Sequence, residues 1–177
     1  RGIIGDLAGK SFLDFGCGKG DFYGFLRHQG ETGDYCGIDV NAGLTSLARR
    51  KYPEAEFLTL DVEEVSLERR FDVVVACGVF NLRIGGIAES LRETVKTLYG
   101  LCRESLHLNF LTARAPQHDV ELFYVDPADL LCFALEELSP IVTLRHGFVP
   151  DDVYLSVFRS VQAEQVVSSQ STRCPKP

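Results

Sequence analysis

The sequence has no apolar stretch long enough to cross a membrane, which takes about 20 consecutive apolar residues. It also opens without the charged and then apolar pattern of a secretory signal, so we expect a cytoplasmic protein. No run of Lys and Arg forms a basic stripe, and 18 basic against 25 acidic residues give a net charge of −7. Because such a balance disfavours phosphate backbones, we expect neither a nucleic-acid partner nor a membrane.

The sequence also lacks the residue patterns of a metal site and of a hydrolytic catalytic triad. The four histidines lie far apart without the spacing of metal ligands, and the six cysteines include no C-x-x-C pair. We therefore predict no metal site. No Ser-His-Asp order accompanies a nucleophile elbow, so hydrolysis has no support either.

The size of the chain fits one domain. Its 177 residues are 45% hydrophobic, which is enough to bury a core without disulfides or metal. We place this domain at residues 1–160 and a tail at 161–177, with disorder expected from residue 168. The first residue is Arg1 rather than Met, so we expect a preceding segment to be missing.

Short apolar runs alternate with segments of helical period, which is typical of parallel βαβ units. Five strands are predicted in this way: 11–15, 35–39, 56–60, 71–77 and 105–111. The fourth contains an unbroken apolar run, as expected of a strand buried on both faces. Two more strands, 140–145 and 153–159, are separated by too few residues for a parallel crossover and must pair antiparallel.

The segments between the strands predict helices. Phe22, Phe25 and Leu26 share one face of the first of them, and Leu47 marks the apolar face of the second. A third helix is expected from the apolar spacing over 87–102. After a polar loop at 112–125, Asp126 and the proline that follows it have the order of an N-cap and a first helical residue, so a fourth helix begins there.

The most informative segment is LDFGCGKGD at 13–21, where a strand end runs into alternating glycines. Glycine at 16, 18 and 20 lets the backbone turn sharply and lets a ligand approach the main chain. Nicotinamide and flavin enzymes use a similar turn, spaced G-x-G-x-x-G, to hold a pyrophosphate. The glycines alone therefore leave an oxidoreductase open.

Three acidic residues lie at or just after strand ends. Asp14 would repel a pyrophosphate at close range, whereas S-adenosylmethionine (SAM) carries no phosphate and has a cationic sulfur and an ammonium group. Asp39, at the end of the second strand, can accept hydrogen bonds from both ribose hydroxyls, which suits NAD as well as SAM. Asp61 follows the third strand. All three lie at the carboxyl edge, where open α/β sheets bind their ligands.

With these residues the chain resembles the class I SAM-dependent methyltransferases over residues 11–159. The resemblance implies a Rossmann-like α/β fold: a seven-stranded, mostly parallel sheet of order 3-2-1-4-5-7-6, with strand seven antiparallel and helices on both faces. It also implies SAM as cofactor and S-adenosylhomocysteine (SAH) as product. The implied cofactor contacts are Asp14, Gly16, Cys17, Gly18, Gly20, Asp39, Val40, Asp61, Val62, Cys77 and Gly78. The chain departs from the family in the segment 63–70, which is too short for a full helix.

The segment after the fourth strand bears on the methyl acceptor. It reads CGVF at 77–80 and lacks both the Asn/Asp-Pro-Pro-Tyr/Phe segment of amide- and nucleobase-nitrogen methyltransferases and a Pro-Cys nucleophile. The resemblance then implies an oxygen, nitrogen or carbon nucleophile of a small molecule, with a protein side chain second. Phe80, Asn81 and Tyr124 are the predicted acceptor contacts, and His146 is the candidate general base.

Two alternatives stay open on the sequence. One is an NAD(P)-dependent oxidoreductase, and the other is a non-catalytic SAM-binding interaction module.

Overall fold

The computed structural model describes residues 7–61, 67, 69–147 and 149–160. The strands are β1 (Phe12–Phe15), β2 (Tyr35–Asp39), β3 (Glu56–Thr59), β4 (Phe71–Ala76), β5 (Cys102–Thr112), β6 (Tyr124–Val125), β7 (Val142–His146) and β8 (Asp152–Phe158). The helices are α1 (Asp21–His28), α2 (Ala42–Lys51), α3 (Ile87–Leu101) and α4 (Pro127–Glu137). None of these described helices is both long and apolar enough to span a membrane.

All eight strands form one sheet, in the order β3-β2-β1-β4-β5-β8-β7, with β6 paired to β5 beside this path. The pairs from β3 through β5 are parallel, whereas β8 runs antiparallel to both β5 and β7. Apart from β6, this is the predicted order with its antiparallel strand, which is confirmed. The two-residue β6 lies in the segment 112–125 expected to be a loop; it forms because the end of the long β5 offers Leu111 and Thr112 as partners.

Helices cover both faces of the sheet. Alternate residues of a strand point to opposite faces, and neighbouring residues of β1 and β4 belong to different core clusters. Leu13 and Val74 pack in a cluster with α3 and α4, whereas Phe12 and Val73 pack in a second cluster with α1 and α2. The core is therefore divided into two layers by the sheet.

The buried face of α1 differs from the prediction. Phe25 is 51% exposed, and Tyr23 and Leu26 are the buried residues of the helix. The ring of Tyr23 lies 4.9 Å from that of Tyr35, and its hydroxyl donates to Glu54 at 2.9 Å, which satisfies the polar end of a buried tyrosine. Leu47 of α2 is also exposed rather than buried.

Three sequence predictions lie wholly or mostly outside the described residues. These are the shortened helix over 63–70, the tail at 161–177, and Val62 as a cofactor contact.

Candidate functional site

The glycine loop connects β1 to α1 in a conformation that only glycine adopts readily. Gly16, Gly18 and Gly20 have φ angles of +73°, +55° and +80°, in the left-handed region that is costly for side chains of L residues. The N–H groups of Gly16 and Cys17 both donate to the Ile38 carbonyl, at 2.8 and 3.0 Å. The loop is thus fixed to the end of β2.

The three glycines differ in what surrounds them. A Cβ atom at Gly16 would lie 2.5 Å from Val79 Cγ2, and one at Gly20 would lie 2.9 Å from the ring of Phe57. A Cβ at Gly18 would meet no protein atom within 4 Å. Gly16 and Gly20 are therefore required by packing within the protein, whereas Gly18 borders open space that a ligand can enter.

Asp39 lies at the end of β2 and contacts the same glycine of the loop. One carboxylate oxygen accepts the Gly18 N–H at 2.9 Å, and the other accepts the Asn41 N–H at 2.8 Å. Each oxygen keeps further lone-pair capacity, so the carboxylate can still accept two vicinal hydroxyl groups. The adjoining Val40 is 67% exposed and offers an apolar surface beside them. This arrangement fits a ribose with an attached flat base.

Asp14, the acid predicted to suit a cationic ligand, is buried. It is 3% exposed, and its carboxylate accepts the hydroxyl of Tyr35 at 2.5 Å. Burial raises the pKa of Asp14 to about 6; the Tyr35 hydrogen bond lowers this pKa and the carboxylate of Asp39 raises it. A cation that reaches Asp14 would therefore stabilise a carboxylate that the protein interior disfavours.

The raised pKa of Asp14 predicts a pH-dependent stability. Between about pH 4 and 6 the folded protein holds a proton that the unfolded chain has released, so the free energy of unfolding falls as pH rises through this window. At 1.36 kcal/mol per pKa unit, the fall attributable to Asp14 is about 3 kcal/mol. Asp14→Asn keeps an acceptor for Tyr35 and removes the titration.

Urea unfolding of the wild type and Asp14→Asn near the two ends of this window measures the effect. We expect the variant to gain stability relative to the wild type at the higher pH. An equal pH dependence in both proteins would contradict the assigned pKa.

The turn after β4 contains exposed and buried candidates. Cys77 and Gly78 are exposed next to the glycine loop, and Gly78 has a φ of +73°. Phe80, expected to contact the acceptor, is instead 5% exposed and stacks on Phe110 at 5.5 Å between ring centroids, because its side chain completes the core on the α3 side. Asn81 is partly buried, and its Oδ1 has no hydrogen-bond partner among the described atoms.

Three other predicted residues lie at different places along the carboxyl edge. Tyr124 lines a groove of about 200 Å³ between α3 and α4, and its ring stacks on His118 at 4.1 Å. His146 Nε2 lies 3.0 Å from Thr112 Oγ1 at the end of β7. β7 lies four strands from β1 in the sheet order, but this contact brings the imidazole of His146 to the end of β5, the strand next to β4. Asp61 is exposed directly after β3.

Neither a metal centre nor a reactive thiol is found at this edge within the described ranges. No group of three His, Cys, Asp or Glu side chains among these residues is arranged to hold a metal ion. Cys17 is buried, and burial raises its pKa to about 12, with the charges of Asp14 and Asp39 adding to the effect. Cys17 is therefore a neutral thiol that contributes packing and main-chain atoms.

A family model described as a methyltransferase domain matches residues 12–103, more than half of the chain. The chain belongs to this methyltransferase family. The match begins at β1 and ends at the start of β5, so it contains the glycine loop, Asp39, Asp61 and the turn after β4.

Curated relatives of the methyltransferase agree with the family match. The chain is 27% identical over 147 residues to a putative methyltransferase of Mycobacterium tuberculosis. This match covers 78% of the chain and 86% of the relative. The chain is also 30% identical over 149 residues to the malonyl-[acyl-carrier protein] O-methyltransferase of Acetivibrio thermocellus. That match covers 76% of this chain, which spans about half (52%) of the larger enzyme.

Solved structures share the fold of the methyltransferase. The magnesium protoporphyrin IX methyltransferase of Synechocystis with bound SAM superposes with a TM-score of 0.67 at 20% identity, covering 88% of this chain and 73% of that one. The plantazolicin methyltransferase BpumL, in complex with a triazolic substrate analogue and SAH, superposes with a TM-score of 0.69 at 15% identity. Here the coverage is 84% of this chain and 76% of the other.

The prediction of a class I SAM-dependent methyltransferase is therefore confirmed, together with its Rossmann-like fold. The comparisons give no support to an oxidoreductase. Sequence reasoning missed two polar residues of the methyltransferase near the site, Tyr35 and Asn109. Asn109 has a recognisable signal, because it is the third polar residue, after Ser105 and His107, at alternate positions of the strand SLHLNFL at 105–111.

Proposed function

We propose that the methyltransferase moves the methyl group of SAM to an oxygen, nitrogen or carbon nucleophile of a small molecule. The observation that carries this proposal is the carboxylate of Asp39, fixed by two main-chain N–H groups, one of which belongs to Gly18, the loop glycine with open surroundings. The relatives support the acceptor class, since they are named for malonyl-[acyl-carrier protein], magnesium protoporphyrin IX and plantazolicin. The cytoplasmic location and the absence of a nucleic-acid partner stay predictions.

The proposed cofactor site follows the carboxyl edge from β3 to β4. Asp39 would accept the ribose hydroxyls, and the buried carboxylate of Asp14 would stabilise the positive charge of the methionine end. The main chain of the glycine loop would line the cofactor. The remaining proposed contacts are Val40, Asp61 and Val62 at the adenine, and Cys77 and Gly78 at the methionine end.

Methyl transfer from SAM depends mainly on how the acceptor nucleophile is positioned. The methyl group of a sulfonium is already activated, so attack in line with the carbon–sulfur bond needs a nucleophile held close and shielded from water. Asn81 is the proposed acceptor contact, because this partly exposed residue lies in the turn after β4 and its buried carbonyl oxygen has no hydrogen-bond partner among the described residues. His146 stays the predicted general base, since its imidazole reaches the end of β5, and Phe80 supports the turn by packing.

Turnover of labelled SAM with a metabolite extract tests the proposal. We expect labelled small-molecule product with the wild type and at least a tenfold loss with Asn81→Ala, while SAH affinity stays within about twofold, because the acceptor loses a hydrogen bond and the cofactor does not. A fully active Asn81→Ala would exclude this residue from the acceptor site. Label incorporated only into protein would contradict the small-molecule class.

A further inference from the structure

A chain of hydrogen bonds connects the start of β8 to the turn after β4. The side-chain carbonyl of Asn109, on β5, accepts the N–H of Gly78 at 2.7 Å. The amide nitrogen of Asn109 donates to Asp152 Oδ2 at 3.2 Å, and the hydroxyl of Tyr154 donates to the same oxygen at 3.1 Å. Asn109 is only 9% exposed. Asp152 and Tyr154 are partly buried and Gly78 is exposed, so the network is shielded from water at Asn109, its centre, where such bonds are stronger than at the surface.

The position of Asn109 follows from the strand register. The last residue of β4, Ala76, pairs with Leu108, and the parallel ladder ends there. The next residue on β5 is Asn109, whose side chain receives the Gly78 N–H beyond the end of the ladder. The side chain therefore provides the acceptor that a continued strand would have provided.

Asp152 determines which way the amide of Asn109 faces. An ionised carboxylate only accepts hydrogen bonds, so the NH₂ group must point to Asp152 and the carbonyl to Gly78. The charge also polarises the amide and strengthens the carbonyl as an acceptor.

The turn held in this way touches the glycine loop. Val79, the residue after Gly78, packs so closely on Gly16 that a Cβ there would lie 2.5 Å from Val79 Cγ2. A displacement of Gly78 would therefore move Val79 against the loop or open a gap beside it. Through the contact of Val79 with Gly16, the hydrogen bond from Gly78 to Asn109 also helps to position the glycine loop.

We propose that Asn109, oriented by Asp152, is a positioning residue for the cofactor pocket: it holds the turn at Gly78 against the glycine loop. The inference rests on the proposed placement of SAM beside Gly78. It assigns the closing hairpin of the sheet a part in cofactor binding, although Asp152 lies two strands beyond β4.

Calorimetry with SAH on the full chain tests the proposal through an exchange of the two side chains. Asn109→Asp places two carboxylates together and removes the donor to Asp152, so SAH affinity should fall about tenfold. The double variant N109D/D152N keeps an acceptor for Gly78 and restores a donor between the two side chains, at the net charge of the wild type. Its affinity should return to within about threefold of the wild type.

Ser156→Ala is the matched control. Ser156 lies on β8, is buried, and bonds His107 of β5 at 2.9 Å, so its loss removes a buried polar pair between the same two strands away from the turn. It should lower Tm and leave SAH affinity unchanged. A lower Tm with unchanged SAH affinity in Asn109→Asp as well would overturn the proposal and leave Asn109 a purely structural role.

Two further results would need interpretation: a double variant that does not fold, and a wild type that does not bind the cofactor. If the exchanged pair does not fold, Asp152→Asn decides, since it keeps the size of the side chain and removes only the orienting charge. Weaker SAH binding then supports the proposal, and unchanged binding overturns it. A wild type that binds neither SAM nor SAH would contradict the cofactor site itself, whereas normal binding in every variant would contradict only the positioning role.

Discussion

Replacing Asp39 by alanine is expected to weaken SAH binding by roughly 2 to 4 kcal/mol, because a charged acceptor for two hydroxyl groups is lost. The same change frees the Gly18 and Asn41 N–H groups, which Asp39 now fixes at 2.9 and 2.8 Å. The loop should therefore lose order as well as its ligand contact. Calorimetry measures the affinity, and circular dichroism checks that the fold persists.

Asp34→Ala is the matched control for this substitution. Asp34 is an exposed acid that precedes β2 at its opposite end, where it pairs with Arg69. Loss of an exposed ion pair costs little, at most about 1 kcal/mol of stability, and should leave SAH affinity unchanged. Equal SAH affinity in Asp39→Ala and the wild type would contradict the assignment of Asp39 to the ribose hydroxyls. The other cofactor contacts proposed from that assignment would then be contradicted as well.

Valine at Gly18 is expected to abolish SAH binding in a protein that still folds. The new side chain would extend into the space where no protein atom lies within 4 Å, which is the space assigned to the cofactor. The left-handed φ of +55° adds a strain of about 1 to 2 kcal/mol, so some loss of Tm accompanies the loss of binding.

Gly30→Val separates strain from obstruction. Gly30 has a φ of +81° and equally open surroundings, but it follows α1 at the end remote from the loop. Both variants should lose similar stability, and only Gly18→Val should lose SAH. Normal binding by Gly18→Val would mean that the ligand does not approach this part of the backbone.

The sequence predicted best those features of the site that depend on residues close to one another along the chain. The glycines at 16, 18 and 20 predicted a sharp turn after the first strand, and all three adopt the left-handed conformation in that turn. The position of Asp39 at the carboxyl end of β2 follows from the length of the predicted strand alone. The antiparallel closing strands follow from the short connection between them, which permits no parallel crossover.

Features that depend on distant partners were not predictable in this way. The burial of Asp14 depends on Tyr35, which approaches it only because β1 and β2 pair side by side. Phe80 follows a strand end, as a site residue would, and only its stacking on Phe110 shows it to be core. His146 was predicted from loop order, and its contact with Thr112 exists only because β7 and β5 lie on either side of β8.

The most direct measurement is calorimetric titration of the full-length chain with SAH and, in parallel, with NAD at about pH 7. SAH should bind with a dissociation constant in the micromolar range, about −8 kcal/mol, because the site has a ribose acceptor and an acid for the methionine end. NAD should give no binding, since its pyrophosphate would face Asp14 beside the glycine loop. Binding of NAD without binding of SAH would contradict the account.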